Sequence, residues 1–366
     1  MVMEKSKVVL LECYDYDVTK LKKSLKKGLK LLNFDFSKLK KSIFLKPNLC
    51  LPVEPCHHIT TNPLVLDALI QIIHEESLKD IVIGDTAIGS TSQRNPENLW
   101  KKTGLSSLNC ERTLLNDLSH NIKIHHINID NLDFPLPISD DIFSSHVINI
   151  PKFKTHGYMM LSGCVKNLYG ILSGDSKKLF HKIAQNKTRF AKLLLEIYNK
   201  VDCKLHIVDG IWGIEGDGPG VKGIPKKINL IALSQDGIAL DHILAEIMGV
   251  PSHNIPTNFY SEVNKEILLL GDPIENFKKH QFQLPLIDDH QDRIVEYAIE
   301  LKRSQIYIDR KHCKICGMCV KNCPMEALKK TKNGIEINKT KCINCLVCME
   351  TCLHGAVLCK RIPLFI

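Results

Sequence analysis

The sequence predicts an α/β fold, a mostly parallel sheet with helices on both faces, followed by a small, cysteine-rich α+β domain. The chain has 366 residues, enough for about two domains. Over most of its length, short aliphatic runs alternate with amphipathic stretches of about ten to fifteen residues, which is typical of parallel sheets. Eight of the fifteen cysteines lie between Cys313 and Cys352. We therefore expect one domain at residues 1–304 and a second at residues 305–366.

The predicted elements of the first domain follow one another in a regular order. Apolar residues at helical spacing predict helices at Val18–Leu32, Pro63–His74, Lys187–Asn199 and Asp236–Met248. Aliphatic runs predict strands at Lys7–Leu11, Ser42–Leu45, Asp80–Ile83, Ile122–Ile127, His146–Ile150, Lys204–Val208, Ile228–Leu233 and Glu266–Leu270. Because the helices separate the strands, we expect crossover connections between strands that run in parallel.

Composition and charge narrow the class of protein. Apolar residues make up 44% of the chain and charged residues 24%, as in ordinary globular proteins. No apolar run approaches the ~18 residues of a membrane span, and the first residues lack a signal peptide, so we expect a cytoplasmic protein. Residues 305–366 hold 11 Lys and Arg against 4 Asp and Glu, which leaves only +2 of the net +9 for the rest. Nucleic-acid binding is therefore disfavoured.

The cysteine-rich region contains one spacing twice. Cysteines at 313, 316, 319 and 323 are separated by two, two and three residues, and the same spacing returns from 342 to 352. A cubane 4Fe–4S cluster takes four thiolates, and a tight loop with a cysteine at every third residue supplies three of them. Zinc is the alternative metal for these cysteines, but their spacing fits tetrahedral zinc sites less well. The Cys-x3-Cys-x2-Cys loop of radical S-adenosylmethionine enzymes is absent from the sequence.

This region resembles a bacterial two-cluster ferredoxin over about 55 residues. The resemblance implies that the last cysteine of each run serves the other cluster. It implies Cys313, Cys316, Cys319 and Cys352 for cluster 1, and Cys342, Cys345, Cys348 and Cys323 for cluster 2. Leu353 stands where a proline commonly follows the fourth cysteine. Two complete clusters of this kind transfer single electrons, so we expect a redox partner protein.

Polar side chains follow several predicted strands of the first domain. Because ligands of open α/β sheets bind outside the carboxyl ends of the strands, these residues predict a pocket. The candidates are Lys46, Asn48, Asp85, Lys152, Lys154, His156, Lys166, Asn167, Asp209, Glu215 and Asp217. The lysines suit a phosphate or carboxylate, and the four acidic residues suit a hard divalent cation. We expect an anionic small molecule, with a divalent metal as a further candidate.

Two other features have simpler interpretations. Six glycines lie between Gly210 and Gly223, but prolines flank the segment that matches the dinucleotide pattern, and a strand follows it. We therefore reject a nicotinamide site and expect a backbone that closely approaches a ligand or adopts positive φ. Cys164 lies near Lys166 in the sequence, which suggests a reactive thiol, although an inert buried thiol is the favoured interpretation.

The first domain also resembles a known family. The motifs that carry the resemblance are Leu45-Lys46-Pro47-Asn48, Thr60-Thr61-Asn62-Pro63, Ile83-Gly84-Asp85, Pro151-Lys152-Phe153-Lys154-Thr155-His156-Gly157, Val165-Lys166-Asn167-Leu168-Tyr169-Gly170 and Val208-Asp209-Gly210-Ile211. In this order, from about Lys7 to Gly249, they resemble the domain of unknown function family 362, whose members are often fused to a two-cluster ferredoxin. The resemblance implies an iron–sulfur protein of redox metabolism, without an established reaction.

Three functions follow as hypotheses. The first is a ferredoxin-coupled oxidoreductase, in which single electrons pass between the two clusters and an anionic substrate or cofactor in the α/β domain. The second is a non-catalytic electron carrier or a cofactor-assembly accessory protein that binds a ligand without turnover. The third, a nucleic-acid-binding factor, is the least favoured. The first two differ in whether the pocket adjoins a cluster.

Overall fold

The computed structural model describes residues 5–77, 79–86, 95–261, 266–285 and 306–359. The predicted fold class is confirmed: a large, mostly parallel sheet carries helices on both faces, and a small ferredoxin-type domain follows. The predicted boundary between residues 304 and 305 lies outside the described residues, so the domain limits stay a prediction.

The large sheet has ten strands in the described residues. The strands of the first domain are β1 Ser6–Glu12, β2 Ile43–Pro47, β3 Ile81–Asp85, β4 Thr113–Asp117, β5 Ile122–Ile129, β6 Leu132–Ser139, β7 His146–Ile150, β8 Lys152–His156, β9 Met160–Ser162, β10 Cys203–Gly216, β11 Gly223–Ser234 and β12 Ile267–Gly271. The order across the sheet is β12-β1-β11-β10-β7-β2-β3-β4, and β8 pairs with β10 and β9. Neighbours run parallel except that β11 is antiparallel to β1 and β10, and β9 to β8. The predicted strand at Ile122–Ile127 belongs to a separate hairpin of β5 and β6.

Helices cover both faces of this sheet. They are α1 Val18–Leu32, α2 Pro63–Glu76, α3 Pro96–Lys102, α4 Asp140–Ser144, α5 Cys164–Asn167, α6 Gly174–Ile183, α7 Lys187–Lys200, α8 Gly237–Met248, α9 Pro256–Tyr260 and α10 Glu275–Lys278. Alternate residues of β1 show the two layers: Val9 and Leu11 pack with α1 and α2, whereas Val8 and Leu10 pack with α8. The near-continuous burial of β1 follows, since a doubly covered strand has no solvent face.

Helix α1 shows how local residues determine an element. Leu21, Leu25, Leu29 and Leu32 are buried at helical spacing, and the Asp17 side chain accepts a hydrogen bond from the Lys20 N–H at the N-terminus. A Cβ at Gly28 would lie 2.6 Å from the Leu233 side chain, so glycine allows the helix to lie against the sheet. On the outer face, Lys22 and Lys26 form ion pairs with Glu75 of α2.

The second domain repeats one small unit. Strands β13 Ile306–Ile308 and β16 Val357–Cys359 pair antiparallel, as do β14 Leu328–Thr331 and β15 Gly334–Ile337. Helices α11 Met318–Asn322 and α12 Val347–Glu350 begin at equivalent positions of the two cysteine motifs. One apolar cluster contains Leu168 and Phe190 of the first domain together with Leu346 of the second. The ferredoxin-type domain therefore packs directly on the α/β domain.

Two local expectations were wrong. Residues Lys152 to His156, for which no strand was predicted, form the fully buried strand β8. Strand β10 continues to Gly216, so Asp209 and Glu215 lie within a strand and not in the loop beyond it. Both strands are long enough to carry side chains from the sheet towards the second domain, and this positions the site described next.

Candidate functional site

A cavity lies between the carboxyl ends of the sheet strands and the ferredoxin-type domain. Its volume is about 890 Å³, including its open mouth. The α/β domain contributes residues that follow β2 and β3, residues of β8 and β9, and residues of α5 and α6. The second domain contributes Asn322, Pro324, Val347 and Glu350. These four residues flank Cys323 and Cys348, so one wall of the cavity is built from the segments that carry those two cysteines.

The structure brings six of the eleven predicted pocket residues to this cavity: Asn48, Asp85, Lys154, His156, Lys166 and Asn167. The remaining five, Lys46, Lys152, Asp209, Glu215 and Asp217, do not line it. The strand-end argument therefore predicted the edge of the sheet at which this cavity lies, but it included residues that serve other contacts.

Two of the excluded lysines form buried ion pairs. Lys152 Nζ lies 2.9 Å from Asp209 Oδ2, both side chains are fully buried, and the Tyr16 hydroxyl accepts from the lysine and donates to the carboxylate. Lys46 Nζ lies 2.9 Å from Asp85 Oδ2. Burial lowers the pKa of both lysines, while the partner carboxylates oppose this shift. These pairs hold neighbouring strands together beneath the cavity.

The four carboxylates expected to bind a divalent cation are not brought together. Asp85 and Asp209 have separate lysine partners, and Glu215 pairs with Lys226 at 2.7 Å and accepts the Gln283 N–H. Asp217 lines a different, smaller cavity. Within the described ranges, no three Asp, Glu, His or Cys side chains surround the position of a single metal ion. The expected grouping of carboxylates is therefore wrong.

Two cavity lysines differ in how completely they are satisfied. Lys154 is fully buried, and its Nζ donates to Asn48 Oδ1 at 2.8 Å, to the Ile59 carbonyl at 2.9 Å and to Cys50 Sγ at 3.4 Å. Lys166 is partly exposed in the cavity, and no described residue accepts a hydrogen bond or forms an ion pair with its ammonium group. Lys166 is therefore one cation of this cavity that remains available to a ligand.

A chain of side-chain amides orders the floor of the cavity. Asn48 Nδ2 donates to Asn167 Oδ1 at 2.9 Å, and Asn167 Nδ2 donates to Asn149 Oδ1 at 2.7 Å. Lys154 donates to the oxygen of Asn48, which fixes the direction of the whole chain. The amide oxygens of Asn48 and Asn167 thereby accept from protein donors, and the second Nδ2 hydrogen of Asn48 is left as a donor to a ligand.

Two buried histidines also line the cavity. His156 Nδ1 accepts the N–H groups of Tyr158 and Met159, both at 3.1 Å, so this nitrogen carries no proton. Burial lowers the pKa of both His156 and His181 to about 4. Within the described residues, His181 Nδ1 is buried without a hydrogen-bond partner. His156 Nε2 lies 3.1 Å from Glu350 Oε1 but is not aligned for a regular hydrogen bond.

Glu350 brings a negative charge from the second domain. Burial alone would raise its pKa, but His156, Lys166 and His181 lower it to about 2. The carboxylate thus stays ionised while it contacts the α/β domain across the cavity. Because Glu350 ends the helix that carries Cys348, this contact connects that helix to the cavity wall.

Several cavity residues were not predicted, and they include Cys50, Tyr169, Lys177, His181 and Glu350. Nothing in the local sequence marks Cys50, which lies two residues beyond the predicted Asn48. Cys164, which was considered as a reactive thiol, is fully buried, and burial together with Asp241 raises its pKa well above the usual value. The favoured interpretation of Cys164 as an inert thiol agrees with this environment.

The glycine-rich segment approaches protein atoms. A Cβ at Gly218 would lie 2.4 Å from the Thr155 carbonyl oxygen, and one at Gly220 would lie 3.1 Å from the Glu350 carbonyl oxygen. Gly216 is the position in this segment with positive φ, at 69°. The glycines therefore allow close contact with β8 and with the ferredoxin-type domain, where a ligand contact was one expectation.

The motif cysteines lie close to one another. Cys313, Cys316, Cys319 and Cys352 line one small cavity. Burial, followed by the neighbouring Cys352, raises the pKa of Cys319 to about 11. Burial and the nearby Cys323 raise the pKa of Cys345 to about 12. Cys323 Sγ accepts the Ala327 N–H at 3.2 Å, and Cys352 Sγ accepts the Ala356 N–H at 3.3 Å. Thiols crowded in this way suit a 4Fe–4S cluster, whose iron ions offset the repulsion between thiolates.

Comparison with known proteins identifies both parts of the chain. Residues 43–246 match the family described as domain of unknown function (DUF362), and residues 305–353 match a 4Fe-4S dicluster domain. The chain belongs to the DUF362 family. The expected family and its fusion to a ferredoxin domain are therefore confirmed. The C-terminal domain gives this DUF362 protein an iron–sulfur electron-transfer role.

Curated relatives of this DUF362 protein share different parts of it. A thylakoid-associated protein of Synechocystis is 30% identical over 258 residues, which cover 68% of this chain and 77% of that protein. The dihydromethanopterin reductase (acceptor) of Methanosarcina mazei is 44% identical over 54 residues, or 14% of this chain and 22% of that protein. One component of the H2:CoB-CoM heterodisulfide, ferredoxin reductase of Methanothermobacter marburgensis is 30% identical over 82 residues, which are 18% of this chain and 12% of that protein.

Solved structures are similar to the DUF362 protein at low sequence identity. A protein from Thermotoga maritima has 17% identity and a TM-score of 0.42 over 62% of this chain and 57% of that chain. The lactate racemase apoprotein from Thermoanaerobacterium thermosaccharolyticum has 15% identity and a TM-score of 0.42 over 66% and 57%. This chain therefore covers less than two thirds of either solved protein.

Proposed function

We propose that the protein transfers single electrons between two 4Fe–4S clusters and an anionic small molecule bound in the interdomain cavity. The observation that carries this proposal is the cavity wall formed by Asn322, Pro324, Val347 and Glu350, next to Cys323 and Cys348. A ligand in this cavity lies beside the segments of one cluster, and that proximity favours an oxidoreductase over a carrier whose ligand site is remote from the clusters.

We assign Cys313, Cys316, Cys319 and Cys352 to cluster 1 and Cys342, Cys345, Cys348 and Cys323 to cluster 2. The electrostatic neighbours of Cys319 and Cys345 support this crossed assignment, because each includes the fourth cysteine of the other motif. The N–H donors at Ala327 and Ala356 support thiolates at Cys323 and Cys352, the fourth cysteine of each motif. Cluster 2 is then adjacent to the cavity, and cluster 1 is the point of exchange with a redox partner protein.

The charge of the cavity supports an anionic ligand. Lys166 has no described acceptor, and one Nδ2 hydrogen of Asn48 has none either. Partly desolvated ammonium groups bind carboxylates and phosphates more strongly than exposed ones do, because the local dielectric constant is lower.

Among the described residues, no helix is long and apolar enough to cross a membrane.

The test begins with anaerobic purification and mass spectrometry of small molecules released on denaturation. The clusters are then reduced with dithionite, the excess is removed, and each released compound is added while absorbance near about 400 nm is followed. A substrate reoxidises the clusters at a rate that saturates with its concentration. A compound that binds but neither reoxidises reduced clusters nor reduces oxidised clusters would refute the oxidoreductase and support the accessory role. Lys166→Met serves as the control in which reoxidation requires higher concentrations.

A further inference from the structure

The surface around the first cysteine loop is separate from the interdomain cavity. Cys316 is exposed, whereas the other seven motif cysteines are partly or fully buried. It lines a small cavity together with Cys313, Cys319 and Cys352, and no residue of this small cavity lines the interdomain cavity. A partner protein therefore approaches cluster 1 most closely at Cys316, on a face that a ligand in the interdomain cavity does not occupy.

Exposed lysines lie beside this loop. Lys314 is part of the loop, two residues before Cys316, and its side chain is exposed. Lys330 of β14 is also exposed and lies over Gly317, because a Cβ at Gly317 would be 3.8 Å from Lys330 Cδ. Ile335 of the paired strand β15 lines the small cavity, so this hairpin packs against the loop. Within the described ranges, neither lysine forms an ion pair.

The acidic residues of this domain do not balance its positive charge. Residues 306–359 contain nine Lys and Arg against four Asp and Glu. Two of the acidic residues have other contacts: Glu350 lines the interdomain cavity, and Asp309 Oδ2 lies 2.6 Å from His312 Nδ1. A 4Fe–4S core with four thiolates is itself an anion, so an acidic carrier would be repelled at this loop without the lysines.

One apolar side chain extends this surface. Leu353 directly follows Cys352, and 43% of its side chain is exposed. The next residue, His354, lines the small cavity with Cys316, which places Leu353 beside the same loop. An apolar contact with a rim of polar and charged side chains is the usual composition of a protein–protein interface. Leu353 therefore favours a protein over a nucleic acid as the partner of the lysines.

We propose that an acidic electron-carrier protein docks on the cluster-1 face, defined by Lys314, Cys316, Lys330 and Leu353. Carboxylates of the carrier pair with the two lysines, and an apolar part of its surface contacts Leu353. One electron then passes between the redox centre of the carrier and cluster 1, so that one is oxidised as the other is reduced. This inference rests on the exchange at cluster 1 in the proposed function, and it adds the charge of the partner and the residues that bind it.

The test compares two electron carriers of opposite charge, an acidic 2Fe–2S ferredoxin and a basic cytochrome c. Calorimetry under anaerobic conditions measures the binding of each to the full chain with intact clusters at several salt concentrations. We expect the ferredoxin to bind more tightly, and its affinity to fall towards about 0.15 M salt, where charges more than about 8 Å apart are screened. Carbodiimide cross-linking followed by mass spectrometry should join its carboxylates to Lys314 and Lys330.

Variants that remove charge locate the contact. The double variant Lys314→Gln and Lys330→Gln should bind the ferredoxin about tenfold more weakly at low salt and depend less on salt. The matched control is the double variant Lys23→Gln and Lys30→Gln, which removes the same charge from exposed positions of α1 and should change the affinity by less than about twofold. Leu353→Ala should weaken binding about fivefold at every salt concentration. All three proteins should retain their iron.

Other outcomes overturn the proposal. Equal weakening in the two double variants would show that only the net charge matters, and tighter binding of cytochrome c would show that the partner is not acidic. Absence of ferredoxin binding, with lysine-dependent binding to vesicles of anionic lipid, would replace the carrier by a membrane surface. The proposed function is tested separately, because a cavity ligand reoxidises dithionite-reduced clusters without a carrier. Failed docking with normal reoxidation therefore contradicts the docking alone.

Discussion

Methionine substitutions at Lys154 and Lys166 should separate packing from ligand binding. Lys154→Met leaves Asn48 Oδ1 and the Ile59 carbonyl without their donor in a buried site. Each unsatisfied acceptor costs about 1–3 kcal/mol, so the free energy of unfolding should fall by at least about 2 kcal/mol. Lys166→Met removes an ammonium group that no described residue accepts from, so its effect on stability should stay within about 0.5 kcal/mol.

Lys166→Met should weaken anion binding although it hardly changes stability. A charged hydrogen bond to a bound anion contributes about 2 kcal/mol, which is about a 30-fold change in Kd. Calorimetric titration with inorganic phosphate should therefore show about 30-fold weaker binding to Lys166→Met than to the parent protein. Chemical unfolding under anaerobic conditions supplies the stability of both variants. Unchanged phosphate affinity in Lys166→Met, with a normal unfolding midpoint, would refute the cationic cavity.

Three further predictions concern the clusters and the core. Anaerobically prepared protein should contain about eight iron and eight acid-labile sulfide per chain, and stoichiometric zinc without sulfide would contradict the assignment. Cys323→Ser should disrupt the cluster held by Cys342, Cys345 and Cys348, and resolved electron paramagnetic resonance spectra that lose only the other cluster would disprove the crossing. Burial lowers the pKa of His206 to about 4, so the stability that its neutral form provides should be lost as pH falls from about 6.5 through 4. His206→Gln should reduce this pH dependence by up to about 1.4 kcal/mol per pH unit. The free energy of unfolding is measured with denaturant at several pH values, and an identical dependence on pH in the two proteins would exclude the effect.

The elements that the sequence predicted best are those with a strong local signal. The helix predicted at Val18–Leu32 has these bounds in the structure, because its leucines repeat at helical spacing and Asp17 caps its first turn. Strand β8 was missed for the opposite reason. Its lysines suggest a solvated loop, but they are buried because acceptors far away in the sequence satisfy them, such as Asp209 for Lys152. No local pattern carries that information.

The candidate site was predicted only in part, because it too depends on contacts between distant segments. The carboxyl ends of the strands indicated the edge of the sheet at which the cavity lies, and Asn48, Lys154 and Lys166 line it. No sequence pattern indicated that the ferredoxin-type domain closes this cavity, since its contact is made by Glu350 with His156. Contacts between distant segments depend on how the two domains pack, and neither periodicity nor spacing specifies that packing.

The residues at this edge that are suited to a ligand are those whose polar groups have no hydrogen-bond partner among the described residues. A buried charge without a partner costs several kcal/mol, and Lys46, Lys152 and Lys154 avoid this cost through Asp85, Asp209 and neutral acceptors. Their substitution should affect folding first. Lys166 and His181 line the same cavity, and no described residue accepts from the partly exposed Lys166 Nζ, so an anion can bind this ammonium group without displacing a protein partner. Because these two groups face the segments of Cys323 and Cys348, ligand binding and electron transfer are expected to depend on the same small region.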